Sequence, residues 1–169
     1  MTGEGPLRLH RGRVIPDWVD YNGHLSEAYY VLIFGHATDA LLDAIGMDES
    51  FRARTGRSVY TVDARVRYLS EVTCDEEVEV RTWIAGADPK RMLVHHAMYQ
   101  VGVGLGEQGP VAQTEVVLLS VGKPGPRAMP FEPPVFETIM RLVDSSGKDC
   151  PVLPERWIPP GRKVVATSL

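Results

Sequence analysis

Residues 26–45 constrain this chain more than any other stretch. Tyr30, Ile33, Phe34, Ala37, Leu41, Ala44 and Ile45 recur there at helical spacing. The polar positions His36, Asp39 and Asp43 form only a narrow stripe among them. A helix that is apolar around most of its circumference has to be wrapped by other structure. The pattern predicts a helix from about Ser26 to Ile45. Ser26 is its N-cap, Glu27 complements the positive end of the dipole, and Gly46 falls where a left-handed cap belongs. The longest apolar run of the chain, Ala28 to Phe34, is far short of the roughly 20 residues of a membrane span.

The wrapping can be read on either side of that helix. Leu7–Ile15 reads as a first strand, with Leu7, Leu9 and Val14 interleaved with His10, Arg11 and Arg13, and Pro16 ends it. Met47–Thr55 is a short second helix or an irregular connection. In Ser58–Ser70, Tyr60, Val62, Ala64, Val66 and Tyr68 alternate with Thr61, Asp63, Arg65 and Arg67, which predicts a strand with one buried face. Glu77–Ala85 alternates in the same way, and Ala87-Asp88-Pro89-Lys90 is turn chemistry. Arg91–Val101 and Val111–Val121 form another strand pair around a loop containing Gly102, Gly104, Gly106 and Gly109. The order of strand, buried helix and four long antiparallel strands predicts an α+β fold, in which a curved antiparallel sheet wraps a central helix.

At 169 residues the chain is expected to be one domain with no internal repeat. Its composition changes after Gly122, and nine of the 13 prolines lie between Pro124 and Pro160. We read residues 1–123 as the main domain. Residues 124–169 are a proline-rich extension with one short amphipathic helix (Val135, Phe136, Ile139, Leu142, Val143), packed over the same domain with its last residues mobile. A net charge of −4 offers no global basic field for nucleic acid or an anionic membrane. Cys74 and Cys150 have neither metal-ligand spacing nor the density of a disulfide scaffold, and are expected to be free thiols in a reducing cytoplasm. Residues 1–6 lack the basic and apolar segments of a signal peptide.

Just before the helix, Asp17 to Ser26 gathers two aspartates, an asparagine, a glycine and a histidine, and Glu27 follows. Carboxylates and amides beside a helix N-terminus, whose first N–H groups lack intrahelical acceptors, suit acyl-transfer or hydrolytic chemistry. Asp20-Tyr21-Asn22-Gly23-His24, with Tyr30 ten residues after Asp20, resembles the entry loop of hotdog-fold acyl-CoA and acyl-carrier-protein thioesterases of the 4-hydroxybenzoyl-CoA thioesterase type. Asp20, Asn22 and His24 also match the D-x-N-x-H variant of the acyl-carrier-protein enzymes. Residues 14–25 (Val14 to Leu25), 34–42 (Phe34 to Leu42) and Tyr60-Thr61-Val62 resemble more closely the betainyl-CoA thioesterase domains found alone or fused to L-carnitine dehydrogenase. The resemblance covers residues 10–85 well, 86–122 loosely and 123–169 not at all.

The resemblance implies a hotdog fold and hydrolysis of an acyl-CoA to free acid and CoA. The substrate would be betainyl-CoA or a similar short polar acyl-CoA of carnitine metabolism, with no cofactor beyond the coenzyme A thioester. It also implies a homodimer or dimer-based tetramer with active sites between subunits, a state that long strands with unpaired edges favour independently. Asp20 is the candidate to activate water or to attack the thioester itself; its residue type alone fits an Asx turn before Gly23. Asn22 can donate to the thioester oxygen or simply tolerate a turn. Gly23 can bring the backbone close to the thioester or serve only the turn. His24 can orient Asp20, protonate the leaving thiolate, or bond the backbone at the helix entrance. Glu27 is a second catalytic carboxylate or a dipole-complementing surface residue.

For substrate binding the candidates are Trp18, Tyr21, Tyr30, Tyr60 and Asp63; Trp18, Tyr21, Tyr29 and Tyr60 could cage a trimethylammonium group. Arg65, Arg67, Lys90 and Arg91 are the candidates to meet the CoA phosphates, set against a merely solvated face. His95 and His96 are adjacent on a strand and point to opposite faces, so they are not expected to chelate one metal. His36 lies on the polar stripe and is expected to be structural. Two other readings remain: a hotdog dehydratase or hydratase acting on acyl thioesters, which keeps the fold but usually places a histidine and an acid differently, an arrangement not evident here, and a catalytically silent acyl-CoA-binding protein.

Overall fold

The computed structural model describes residues 5–102, 109–123, 125–146, 150, 151 and 153. Five long strands form one antiparallel sheet: β1 (Leu7–Arg13), β2 (Ser58–Tyr68), β3 (Glu77–Ala87), β4 (Arg91–Val101) and β5 (Ala112–Gly122). Their order in space is β1-β3-β4-β5-β2, and a two-residue strand β6 (Arg127–Ala128) pairs with the end of β5. The helices are α1 (Glu27–Ala44), α2 (Glu49–Thr55) and α3 (Pro133–Ser146). No single helix among the described residues is long and apolar enough to cross a membrane. Gly104 and Gly106 of the glycine-rich loop, and the last residues of the tail, lie outside the described residues.

α1 begins after Ser26, which has extended N-cap geometry but makes no side-chain cap bond. It ends in a Schellman closure, in which the Met47 N–H donates to the Leu42 carbonyl (2.8 Å) and the Gly46 N–H to the Asp43 carbonyl (3.1 Å). The closure needs a left-handed residue, and Gly46 has φ +85°. Asp48 then caps α2, accepting from the Phe51 N–H at 2.7 Å.

The buried face of α1 supports two halves of one core. Tyr30, Ile33, Phe34 and Ala37 pack with Val14, Leu25, Val72, Val78, Val80 and Met98. Leu41, Leu42 and Ile45 pack with Phe51, Ile84, Met92, Val94, Leu118, Phe131, Val135 and Ile139. The helix is not fully engulfed, however. Ala28, Val31, Leu32 and Gly35 are exposed together with the polar stripe. The sheet covers only the inner side of α1, through residues of β1, β3, β4 and β5.

Two further expectations need correction. Strand β2 has no fully buried residue. It is an edge strand, and a bulge at Val62 breaks its alternation, because Thr61 pairs with Leu118 whereas Asp63 pairs with the next residue, Val117. Leu118, Val116, Thr114 and Ala112 of β5 are buried on the core side. Their partners on β2, namely Thr61, Ala64, Val66 and Tyr68, therefore share the inner face, while Tyr60, Asp63, Arg65 and Arg67 share the outer one. The helix of the extension is also not a surface wrapping. α3 supplies Val135 (5% exposed) and Ile139 (0%) to the same core cluster as α1.

Ile139 thus serves as a core residue despite lying in a proline-rich region. Ile139→Ala is expected to lower the unfolding free energy by about 2–5 kcal/mol, against about 0.5 kcal/mol or less for a surface site. Urea denaturation of the purified variant measures it.

Candidate active site

The loop before α1 is built by its own backbone. The Gly23 N–H donates to the Asp20 carbonyl (3.0 Å) and the Asp20 N–H to the His24 carbonyl (2.8 Å). Gly23 adopts φ +83°, a conformation that a side chain would strain. The Asp20 carboxylate completes the turn through Oδ1, which accepts from the Asn22 N–H (2.8 Å) and the His24 N–H (3.3 Å). An Asx turn is therefore present, and it fixes the carboxylate while leaving Oδ2 without a described partner. The loop is tied down at both ends: the Leu25 N–H donates to the Val72 carbonyl (2.7 Å) and the Ser26 N–H to the Trp18 carbonyl (2.9 Å). Val14, Leu25 and Val72 are buried beneath it.

Asp20, Asn22, His24, Leu25, Glu27 and Tyr30 line one side of an open groove of about 420 Å³. Tyr68, Leu69, Ser70 and Glu71, from the end of β2 and the turn after it, line the other. The Tyr30 hydroxyl donates to the Ser70 carbonyl (3.2 Å) and the Tyr68 hydroxyl to the Glu27 carbonyl (3.4 Å). Burial pushes both phenols above their ordinary pKa, and for Tyr68 the charge of Glu27 adds to it. His24 Nε2 lies 3.3 Å from Glu71 Oε2. The N–H groups of Asn22, Gly23 and His24 are all engaged within the loop, whereas those of Glu27 and Ala28, at the start of α1, have no acceptor among the described residues.

The other sequence candidates lie elsewhere. Trp18 and Tyr29 stack on each other (centroids 5.7 Å apart) and pack against the core. Tyr21 is 97% exposed at the loop tip. Tyr60 lines a separate pocket of about 570 Å³ at the far end of β2, with Ser58, Val121, Lys123 and Gly125. Tyr60, Leu119 and Arg91 form one row across the sheet, so Lys90 and Arg91 belong to that far end. Arg91 is paired with Asp88 at 2.8 Å. Arg65, Arg67 and Asp63 occupy the outer face between the two ends. Tyr68, Ser70 and Glu71 escaped the sequence reading because their place beside Asp20 comes from long-range packing, for which short motifs carry no signal.

Among the described residues no three His, Cys, Asp or Glu side chains are grouped to hold a metal ion. His95 and His96 do diverge. His95 lies on the outer face with Trp83 and Glu115, and burial lowers its pKa against the pull of Glu115. His96 lies inside beneath α1, between Thr82 (2.9 Å from Nδ1) and Thr38 (3.0 Å from Nε2).

A curled antiparallel sheet around a helix, with a carboxylate-bearing groove at the helix start, defines a hotdog-fold domain. The family model described as "Thioesterase-like superfamily" matches residues 14–155. Betainyl-CoA thioesterase of Pseudomonas aeruginosa PAO1 is 43% identical over 139 residues, covering 82% of this chain and 85% of that protein. The L-carnitine dehydrogenase/betainyl-CoA thioesterase of Agrobacterium fabrum C58 is 42% identical over 140 residues, covering 82% of this chain but 27% of that longer protein. Among solved structures, a candidate thioesterase from Pseudomonas putida KT2440 matches with a TM-score of 0.73 at 34% identity, covering 98% of this chain and all of that one. A hypothetical protein from Staphylococcus aureus in complex with CoA shares the fold (TM-score 0.75, 19% identity, 95% of this chain and 96% of that one). The chain belongs to the thioesterase-like superfamily and is a thioester hydrolase of the hotdog type.

Burial of His96, and secondarily the charge of His95, lower its pKa to about 3, so it stays neutral in the folded protein. The unfolded chain binds a proton there below about pH 6.5. His96 therefore contributes stability above that pH, which is lost as pH falls from about 6.5 toward 3, at up to about 1.4 kcal/mol per pH unit. Urea titrations at about pH 7 and about pH 5 should show a loss of stability that is smaller by about 2 kcal/mol in His96→Gln than in the wild type.

Proposed function

We propose that this protein hydrolyses a short polar acyl-CoA, with betainyl-CoA the leading candidate, to the free acid and CoA. The observation that carries this reading is Asp20. Its carboxylate is fixed through one oxygen by the turn, and it lines a groove beside the start of α1. A bound thioester there would meet that carboxylate together with the free N–H groups of Glu27 and Ala28 and the positive end of the helix dipole. Asp20 takes the proton of an attacking water, whose oxygen forms the new C–O bond as the CoA thiolate leaves; or it attacks as nucleophile, expelling the thiolate to give an acyl–Asp20 anhydride that water then cleaves to the free acid. Asn22 steadies the water or the thioester oxygen, His24 supplies the proton to the departing sulfur, and Glu27 is the second carboxylate at the site. The identity with the two relatives named for betainyl-CoA favours that acyl group.

The working unit in this proposal is a homodimer. Among the described residues strand β2 pairs only with β5, and it presents Tyr60 (52% exposed) and Val62 (54% exposed) at an open edge. Two copies joined antiparallel along this edge would bring the Tyr60 end of one, with Lys90 and Arg91, beside the Asp20 groove of the other. The basic end then faces the CoA phosphates while the groove takes the thioester, with Arg65 and Arg67 on the outer face nearby. Cys74 and Cys150 are unpaired thiols, which fits a reducing, cytoplasmic setting.

Asp20→Asn should lower kcat for betainyl-CoA by at least about 100-fold, the scale of a lost general base, with thermal stability close to wild type. Thiol release followed with a chromogenic disulfide measures it, and near-normal turnover would remove Asp20 from the mechanism. Val62→Lys, which puts a charge on the open edge, should yield monomers in sedimentation velocity and lose most activity. A variant that stays dimeric and active would place the interface elsewhere.

A further inference from the structure

The groove that holds Asp20 has a chemical bias that its hydrolytic role does not require. Three carboxylates line it, from Asp20, Glu27 and Glu71, together with the phenol rings of Tyr30 and Tyr68. No lysine or arginine is among the described residues that line it. The two rings stand edge to face, with centroids 5.3 Å apart. Both hydroxyls are engaged with backbone carbonyls, so the part of Tyr68 left for a ligand is its ring surface, and Tyr68 is 48% exposed. The Glu71 side chain is 76% exposed and touches His24.

Such walls suit a neutral or anionic acyl group poorly. Carboxylates beside a carbonyl that is becoming an oxyanion raise the energy of that charge. An acyl group bearing a fixed cation reverses the sign. Its charge is attracted by the carboxylates and by the π surface of tyrosine, the combination that holds quaternary ammonium groups, and it offsets the oxyanion from within the substrate.

We propose that Tyr68 and Glu71 are the specificity-determining residues of the acyl pocket: they select acyl groups that carry a permanent positive charge close to the thioester. Tyr68 offers its ring face and Glu71 its carboxylate. Neither touches the bond that breaks, so their replacement changes chiefly which thioester is used. The inference rests on the thioesterase reading above.

A pair of isosteres tests it. Betainyl-CoA and 3,3-dimethylbutanoyl-CoA have nearly the same shape and differ in having a quaternary nitrogen or a quaternary carbon. Their intrinsic reactivities differ, so the quantity read is the change in the ratio of kcat/KM values from wild type to variant. Glu71→Gln and Tyr68→Leu should each lower that ratio by about fivefold or more, the scale of a partly desolvated cation–π or ion contact, mainly through a higher KM for betainyl-CoA. Hydrolysis of the neutral isostere should fall less than that of betainyl-CoA in each variant. Glu71→Asp, which keeps the charge, should recover part of the preference. An unchanged ratio in both variants overturns the proposal. So does an equal fall for both substrates, which would make Glu71 only a support for His24. Failure of the thioesterase reading looks different, because the wild-type protein would then release thiol from neither compound.

Discussion

Burial of one face of α1 against the concave sheet is the interaction on which the rest of this structure depends. Tyr30, Ile33, Phe34 and Ala37 share a cluster with Val14, Leu25 and Val72, and these last three residues hold the loop of Asp20 in place. The loop's internal bonds are local and few, and short polar turns of this kind do not keep one conformation unaided. Docking of the helix converts the turn into a fixed element: lifting Asp20 away would expose Leu25 and break the bond from its N–H to Val72. The hydrophobic effect in the core thus sets the position of a charged group at the surface.

The same dependence explains which parts of the molecule could be read from its residues. β3 and α1 followed from period-two and period-3.6 patterns, which are local properties of a segment with one buried face, and β4 and β5 from two apolar runs on either side of a glycine-rich loop. Gly46 marked the end of α1 because a Schellman closure demands a left-handed residue. The inner face of β2 was misassigned for a local reason as well: the alternation of Tyr60, Val62 and Ala64 is real, but Val62 occupies a bulge and the phase of the strand flips there. The packing of α3 was hidden because proline-rich flanks resemble a surface extension, while Ile139 finds its neighbours among residues nearly a hundred positions earlier.

The candidate site was legible on one side only. The loop of Asp20, Asn22, Gly23 and His24 is contiguous and carries a recognisable spacing. The opposing wall, Tyr68 to Glu71, reaches it through the pairing of β2 with β5 and the docking of the turn around Val72. Aromatic residues near the loop in sequence, Trp18, Tyr21 and Tyr29, proved to be core or rim residues, whereas Tyr68, forty-eight positions after Asp20, faces it. Neighbourhood in sequence marked one wall of the groove and carried no sign of the other.

Charge is distributed along the molecule in a way that the net value of −4 conceals. Carboxylates gather at the Asp20 groove, while Lys90, Arg91 and Lys123 lie at the opposite end of β2 and β5. Within one chain these ends are separated by roughly the length of a strand, about 25–30 Å at 3.3 Å per residue. A ligand with an anionic nucleotide at one end and a cationic acyl group at the other would find each end matched in an edge-to-edge pair and would be repelled if reversed. Such a field acts before contact and is screened by salt. Orientation of an acyl-CoA in the proposed dimer would then depend on two subunits supplying opposite charges, and a single chain could hydrolyse such a substrate only by meeting its phosphates in some other way.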